Sequence, residues 1–219
     1  MFIIKEGIDL NESTDRRVVR TKAVIRDALT ALIEEKGFEA LTVKDITARA
    51  NINRGTFYLH YRDKYDLLEQ SEQELIEGMV AIIRTIRPFN LDELLAKDEP
   101  VPQIVELIEY MNGQADFLKT ILGPKGDPAF HSLVRSMMSK YLFEKNIVPL
   151  IKKENALVPT EYLMAYISSA HLGIIQEWLA QGKKESPREL ALIMTKLSMK
   201  GPLYAAGVFQ AMKKATDGT

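Results

Sequence analysis

Between Thr42 and Tyr61 the chain reads "TVKDITARANINRGTFYLHY", which leaves room for two short helices, a tight turn and little else. Thr42 and Asp45 stand at the spacing of a capping box, in which hydroxyl and carboxylate each satisfy a backbone amide that the first helical turn leaves unpaired. Val43, Ile46 and Ala50 then give a helix of about eight residues a single apolar face. Asn51 tolerates the left-handed backbone of a turn, Ile52 is an apolar plug, and Asn53 can cap a third helix over about 54–61. Two short helices joined by three residues form a helix-turn-helix. Upstream, Ile25, Ala28, Leu29, Leu32 and Ile33 fall at i, i+3, i+4, i+7 and i+8. That stripe predicts a helix over about 17–36, stopped by Gly37.

The third helix carries an unusual outer face. Phe57 and Tyr61 are four residues apart and share the inward side, while Arg54, Thr56, Tyr58 and His60 point the other way. Gly55 removes the side chain that would hold a partner's backbone at a distance. Every outward group hydrogen-bonds, and an arginine is the side chain best shaped to read a guanine edge, with threonine and tyrosine suited to phosphates or a thymine methyl. Asp63 caps a longer helix, at whose start Lys64 can reach a phosphate together with the helix N-terminus. Charge is distributed to match. Residues 15 to 66 hold eleven Lys/Arg against eight Asp/Glu, a balance of +3 in a chain of net charge −1, so the remainder is acidic. One segment is built to meet phosphates and the other is not.

Residues 17 to 68, "RVVRTKAVIRDALTALIEEKGFEALTVKDITARANINRGTFYLHYRDKYDLL", resemble the N-terminal domain of the TetR family of bacterial transcriptional regulators, whose pattern runs Thr-Val-x-x-Ile-Ala-x-x-Ala-Gly-Val-Ser-x-Gly-Thr-Phe/Leu-Tyr-x-x-Phe-x-x-Lys. The match is one ungapped run over about a quarter of the chain. Thr47 stands for the usual alanine, Asn51 for the turn glycine, Asn53 for the serine cap and Tyr61 for the packing phenylalanine. Carried over position by position, the resemblance implies DNA contacts from Lys44, Arg54, Gly55, Thr56, Tyr58, His60 and Lys64, with Thr42 on a phosphate. It also implies an all-α fold: an N-terminal three-helix DNA-binding domain with a helix-turn-helix, followed by a helical ligand-binding and dimerisation domain. The corresponding division is a flexible arm over 1–15, the DNA-binding domain over 16–63 and the second domain over 64–219.

The rest of the chain predicts helices. One runs from Lys64 to about Ile86, before Pro88, and "LLAKDEPVPQ" is a polar loop. One or two helices over 101–122 break near Asn112 and Gly113, and "GPKGDP" is a second loop. Asp127 and Pro128 start a helix on which Phe130, Leu133, Val134, Met137, Met138, Tyr141 and Leu142 keep the helical rhythm. From Pro159 to Gln181 comes a helix with no Asp, Glu, Lys or Arg between Glu161 and Glu177, a pattern expected of a helix buried nearly all round. Ser186, Pro187 and Glu189 open the next helix with a capping box, Gly201 and Pro202 break it, and a last helix extends to about Lys214.

Enzyme chemistry finds little support. His60, His131 and His171 are far apart, no His-x-x-x-His, Gly-x-Ser-x-Gly or phosphate loop occurs, and cysteine is absent. No catalytic residue, metal or cofactor is expected. No stretch approaches the ~20 apolar residues of a membrane span, and the lack of cysteine fits a reducing, cytoplasmic setting. The expected function is a DNA-binding transcriptional regulator, a repressor that binds a palindromic double-stranded operator as a homodimer and is released by a small hydrophobic ligand. The alternatives are a helical interaction protein of the same fold without operator binding, and a small-molecule enzyme.

One short reading helix covers only a few base pairs, so a two-fold partner on a palindrome, with reading heads roughly 34–36 Å apart or a multiple of that, is the economical route to specificity. The uncharged helix and the capped helix after it are the expected isologous interface, through Ala170, Gly173, Ile174, Trp178, Leu190, Met194 and Leu197. A ligand releases a repressor only by binding its other conformation better, which requires a cavity, expected at about 300 Å³ or more within residues 100 to 180. Met111, Phe117, Phe130, Met137, Met138, Tyr141, Tyr162 and Tyr166 are the candidate lining: soft or aromatic side chains at helical spacing.

Overall fold

The computed structural model describes residues 10–86, 99–143 and 153–208. All regular structure among these residues is helical. The expectations for Pro88, the first half of "LLAKDEPVPQ", the side chain of Leu142 and the end of the last helix near Lys214 fall outside the described residues. The chain divides into two compact units, residues 1–72 with 124–126, and residues 73–123 with 127–219.

In the first unit α1 (Leu10–Lys36) begins seven residues before the expected Arg17 and ends where Gly37, at φ 79°, donates its amide to the Ile33 carbonyl at 2.8 Å. Ile25, Ala28, Leu29, Leu32 and Ile33 are all buried, so the periodic stripe is the core face. The capping box forms at α2 (Val43–Arg49): Thr42 Oγ accepts from the Asp45 amide at 3.2 Å, and Asp45 accepts from the Thr42 amide at 2.9 Å. Asn51 adopts φ 51°, and the Ile52 amide donates to the Thr47 carbonyl. Asn53 then caps α3 (Arg54–Tyr58), its Oδ1 2.7 Å from the Thr56 amide. The helix is shorter than expected, ending at Tyr58, although the Leu59 and Tyr61 amides still donate to the Gly55 and Phe57 carbonyls. Phe57 and Tyr61 face inward as expected, each nearly inaccessible. Burying a side chain the size of Phe57 contributes about 1.5–3 kcal/mol, ample to hold a five-residue helix that could not persist alone. Asp63 caps α4 (Lys64–Ile83) by accepting from the Tyr65 and Asp66 amides.

The second unit takes the part of α4 from Gln73 onward and adds α5 (Pro102–Gly113), α6 (Ala115–Ile121), α7 (Pro128–Met137), α8 (Thr160–Ala180), α9 (Pro187–Lys200) and the short α10 (Pro202–Ala205). The break near Gly113 falls at Gln114, and α7 is capped by Asp127 with Pro128 at its first position. Beyond Met137 the helix continues as a π-helical turn over Met138–Phe143. Ser186 and Glu189 form the expected box on α9, and Gly201 at φ 80° ends it.

The expectation for α8 needs correction. Only one face, with Met164, Ser168, Leu172, Ile175, Trp178 and Leu179, is buried. Tyr162, Ala165, Tyr166, Ser169, Ala170 and Gly173 are exposed along the opposite side. A helix lacking charge on both faces offers no polarity contrast from which an inward phase can be read.

Candidate nucleic-acid interface and apolar cavity

Backbone geometry in the first unit sets which side chains reach outward. Arg54, Gly55 and Tyr58 on α3 are exposed, as is Lys44 on α2, while Thr56 and His60 are half-buried. Arg54 Nη2 donates to the Tyr58 hydroxyl at 3.1 Å, one helical turn on, and its guanidinium lies 5.8 Å from that ring. The Tyr58 ring in turn stands edge-on to buried Phe57 at 5.5 Å. A core aromatic thus orders a surface tyrosine, and the tyrosine orders an arginine. Lys36, Arg49 and Arg62 are paired with Asp45, Glu35 and Asp66. Arg54 is held by a neutral phenol instead, which leaves its positive charge available.

Three expected DNA-binding residues acquire other duties. The Thr42 hydroxyl donates to Asp45 at 2.7 Å while accepting that residue's amide, so its first role is to start α2. Lys64 is half-buried, and its ammonium donates to the Phe38 and Glu39 carbonyls at 3.1 and 2.9 Å, with the Phe38 and Tyr65 rings about 5 Å away. Two of an ammonium's three donors are therefore spent tying α4 to the turn after α1, and only the third remains for a phosphate. At Gly55 a Cβ would come within 3.1 Å of the Asn53 Oδ1, so the glycine protects the cap of its own helix as well as allowing close approach. Sequence reasoning overlooked Leu59, 81% exposed directly after α3. Its signal was its position, five residues after Arg54 and next to Tyr58, where an apolar side chain has no local core to join.

Two carboxylates of this unit are held well below the usual aspartate range. Hydrogen bonds from the Thr42 hydroxyl, the Lys36 ammonium and the Thr42 amide hold Asp45 at about 2. The Arg62 guanidinium and amide, with Gln70, hold Asp66 at about 2 as well.

The second unit encloses a cavity of about 190 Å³. It is smaller than the expected 300 Å³ and is not confined to residues 100 to 180, since α4 and α9 also contribute walls. Met79, Met111, Met137, Met138, Met194 and Met199 line it, six of the chain's nine methionines. Unbranched thioethers repack readily, so the volume can adapt to a guest. Its polar groups are His171, Thr195 and Ser198. Of the expected lining, Met111, Met137 and Met138 are in place. Phe117 and Phe130 are buried in the core away from the cavity wall, and Tyr141 lies beside Arg84, 5.4 Å from its guanidinium. Tyr162 and Tyr166 turn outward on α8, 71% and 58% exposed. Helical spacing groups residues on a face and says nothing of which face meets a hollow.

The residues expected at a subunit interface divide similarly. Ala170 and Gly173 are exposed, and Ile174 and Leu197 are half-buried. Trp178, Leu190 and Met194 are buried within the subunit, and Trp178 Nε1 donates to the Glu185 carbonyl at 2.8 Å. These three are core residues: Trp178 shares the inward face of α8 with Leu172 and Ile175, and Leu190 and Met194 share the inward face of α9 with Ala191. No helix among the described residues is long and apolar enough to cross a membrane.

A capped helix-turn-helix with an outward-facing Arg54, followed in the chain by a helical unit that holds an apolar cavity, is the architecture of a helical transcriptional regulator. The chain belongs to the TetR family of bacterial transcriptional regulators. The profile described as "Bacterial regulatory proteins, tetR family" matches residues 25–70, and that described as "Transcriptional regulator C-terminal region" matches residues 98–200. The chain is 28% identical over 189 residues to the uncharacterized HTH-type transcriptional regulator YxbF of Bacillus subtilis, covering 81% of this chain and 44% of that protein. It therefore spans less than half the length of that relative. Among solved structures, the fatty acid degradation regulator FadR of Bacillus halodurans is similar at 18% identity and a TM-score of 0.59, over 83% of this chain and 95% of that one. FadR of Bacillus subtilis in complex with stearoyl-CoA is similar at 17% identity and a TM-score of 0.50, over 82% and 98%. These two likenesses establish the fold.

Proposed function

We propose that this chain binds a palindromic double-stranded operator as a homodimer and represses transcription until a small apolar ligand releases it. The observation that carries the reading is the ordered Arg54–Tyr58 pair on a helix whose cap, turn and buried Phe57 fix its direction. Arg54 keeps donors to spare for a base edge, and Lys44, Thr56, His60 and the remaining Lys64 donor can engage the backbone around it. Dimerisation is supported by the uncharged exposed stripe on α8, and ligand response by the methionine-lined cavity in the same unit. The FadR–stearoyl-CoA complex supports an apolar guest in a fold of this kind. A protein that meets chromosomal DNA and carries no cysteine would work in the cytoplasm, and no catalytic role is assigned to it.

Selection from random duplex DNA with the full chain tests this directly. An enriched palindrome whose affinity falls with rising salt is the expected result, because phosphate contacts release counterions. Recovery of no enriched sequence would leave a helical interaction protein of the same fold as the better account.

A further inference from the structure

We infer that the cavity's ligand is an uncharged, mainly apolar molecule carrying a hydroxyl or comparable hydrogen-bond donor, seated against Thr195 and Ser198. The inference deepens the reading of this cavity as a ligand site and rests on it.

The polar end of the cavity has few protons to offer a guest. His171 Nδ1 lies 2.7 Å from the Ile167 carbonyl. A carbonyl only accepts, so Nδ1 carries the proton. Burial lowers the histidine's proton affinity and favours the neutral ring, which leaves Nε2 as an acceptor. The Ser198 hydroxyl is 3.1 Å from Nε2 and therefore donates to it. Thr195 spends its hydroxyl proton on the Ala191 carbonyl at 2.8 Å. Both hydroxyl protons are thus committed to the protein, and what Thr195 and Ser198 offer a guest is oxygen lone pairs.

A guest's O–H or N–H satisfies that end of the cavity, while a ketone or ether oxygen placed there would face other lone pairs. Among the described residues no lysine or arginine lines the wall, so a carboxylate would be buried without a counter-charge from them, which is far costlier than burying a neutral hydroxyl. An ammonium has donors but suffers the same penalty. What remains is a neutral donor on an apolar body, an alcohol or phenol being the simplest. Ser198 is exposed on the single chain, so the donor sits at the cavity mouth with the apolar body directed inward among the methionines.

The test uses three probes of equal chain length, 1-nonanol, 2-nonanone and nonanoate, titrated against the full chain by calorimetry and thermal shift. Nonanol is expected to bind roughly three- to tenfold more tightly than nonanone, the range a net hydrogen bond supports, with nonanoate weakest. Ser198→Ala and Thr195→Val should each lower nonanol affinity by a similar factor and leave nonanone unchanged. Nitrogen-15 spectra of His171 should report the Nδ1–H tautomer. Equal binding of nonanol and nonanone, or an Nε2–H tautomer, would overturn the donor requirement while leaving the cavity as a ligand site. If no probe binds, both the donor requirement and the ligand reading fall, whereas operator selection judges the DNA-binding reading separately.

Discussion

Arg54 has its rotamer restrained by Tyr58 before any partner arrives, so part of the entropy of ordering a long side chain is lost on folding rather than on binding. Charge and fork geometry can be separated here. Arg54→Lys keeps the charge and loses the planar pair of donors, so operator affinity is expected to fall by roughly 1–3 kcal/mol at one base pair per half-site with the salt slope little changed. Lys44→Ala should do the reverse, weakening all sequences alike and reducing the slope by about 0.9 for each phosphate that is no longer neutralised. Fluorescence anisotropy on matched and mismatched operators over a salt series distinguishes the two. Acid stability is a second property set by single residues. Asp45 and Asp66 titrate near 2 in the fold, against ~3.9 for an ordinary aspartate in the unfolded chain. Between those values the unfolded chain binds more protons, so the stabilisation is present above about pH 4 and is lost as pH falls toward 2. Tm followed from pH 7 downward should drop through that window, and Asp66→Asn should lower Tm at neutral pH while flattening the acid limb.

Helices in this chain are legible wherever their ends are written in local chemistry. Thr42 with Asp45, Asn53, Asp127 and Ser186 with Glu189 all cap the helices they were expected to cap, because a cap involves residues two or three apart. Phases are legible where apolar and polar faces alternate, as in α1. On α8, Trp178 and Ala170 are equally uncharged, and which one faces inward is decided by distant helices. The same holds for the cavity, whose methionines lie between positions 79 and 199, and for Lys64, whose carbonyl partners at Phe38 and Glu39 are 26 and 25 residues away. Gly78 is another tertiary requirement that no local pattern reveals. A Cβ there would lie 2.1 Å from the Tyr110 hydroxyl and 2.3 Å from its ring carbon, in a place where the phenol comes within 3.5 Å of the Leu75 carbonyl. Helix propensity alone predicts that Gly78→Ala stabilises α4 by about 1 kcal/mol. Displacing a packed ring costs typically 1–3 kcal/mol and is expected to win, so the variant should be less stable in urea unfolding. Tyr110→Leu in the same chain should remove most of that loss, with a coupling of about 1 kcal/mol or more. A more stable Gly78→Ala protein would contradict the packing.

The molecule as a whole is expected to be a pair of chains joined through the exposed face of α8. Tyr162, Tyr166, Ala170 and Gly173 recur along one side of the helix, exposed and uncharged over about three turns. Gly173 needs no space for its own subunit, since, its chain neighbours and the backbone of its own helix aside, no described atom lies within 4 Å of a Cβ built there. A small residue that its subunit does not require, set in an apolar exposed stripe, suits close approach by the same stripe of a second chain, as two-fold symmetry demands. Trp178, Leu190 and Met194 do not belong to that surface, which changes the variants that test it. Trp178→Asp buries a charge in the subunit core and should unfold the second unit. Ala170→Glu instead places one charge on an exposed position, and across a two-fold interface it meets itself or an apolar partner. Sedimentation is expected to show a dimer for the parent chain at micromolar concentration and a monomer for Ala170→Glu, with helical circular dichroism unchanged. Operator affinity should fall with it, because each chain then meets a single half-site and the second no longer binds as part of the same complex. A parent chain that sediments as a monomer, or an Ala170→Glu chain that remains dimeric, would refute the interface on α8.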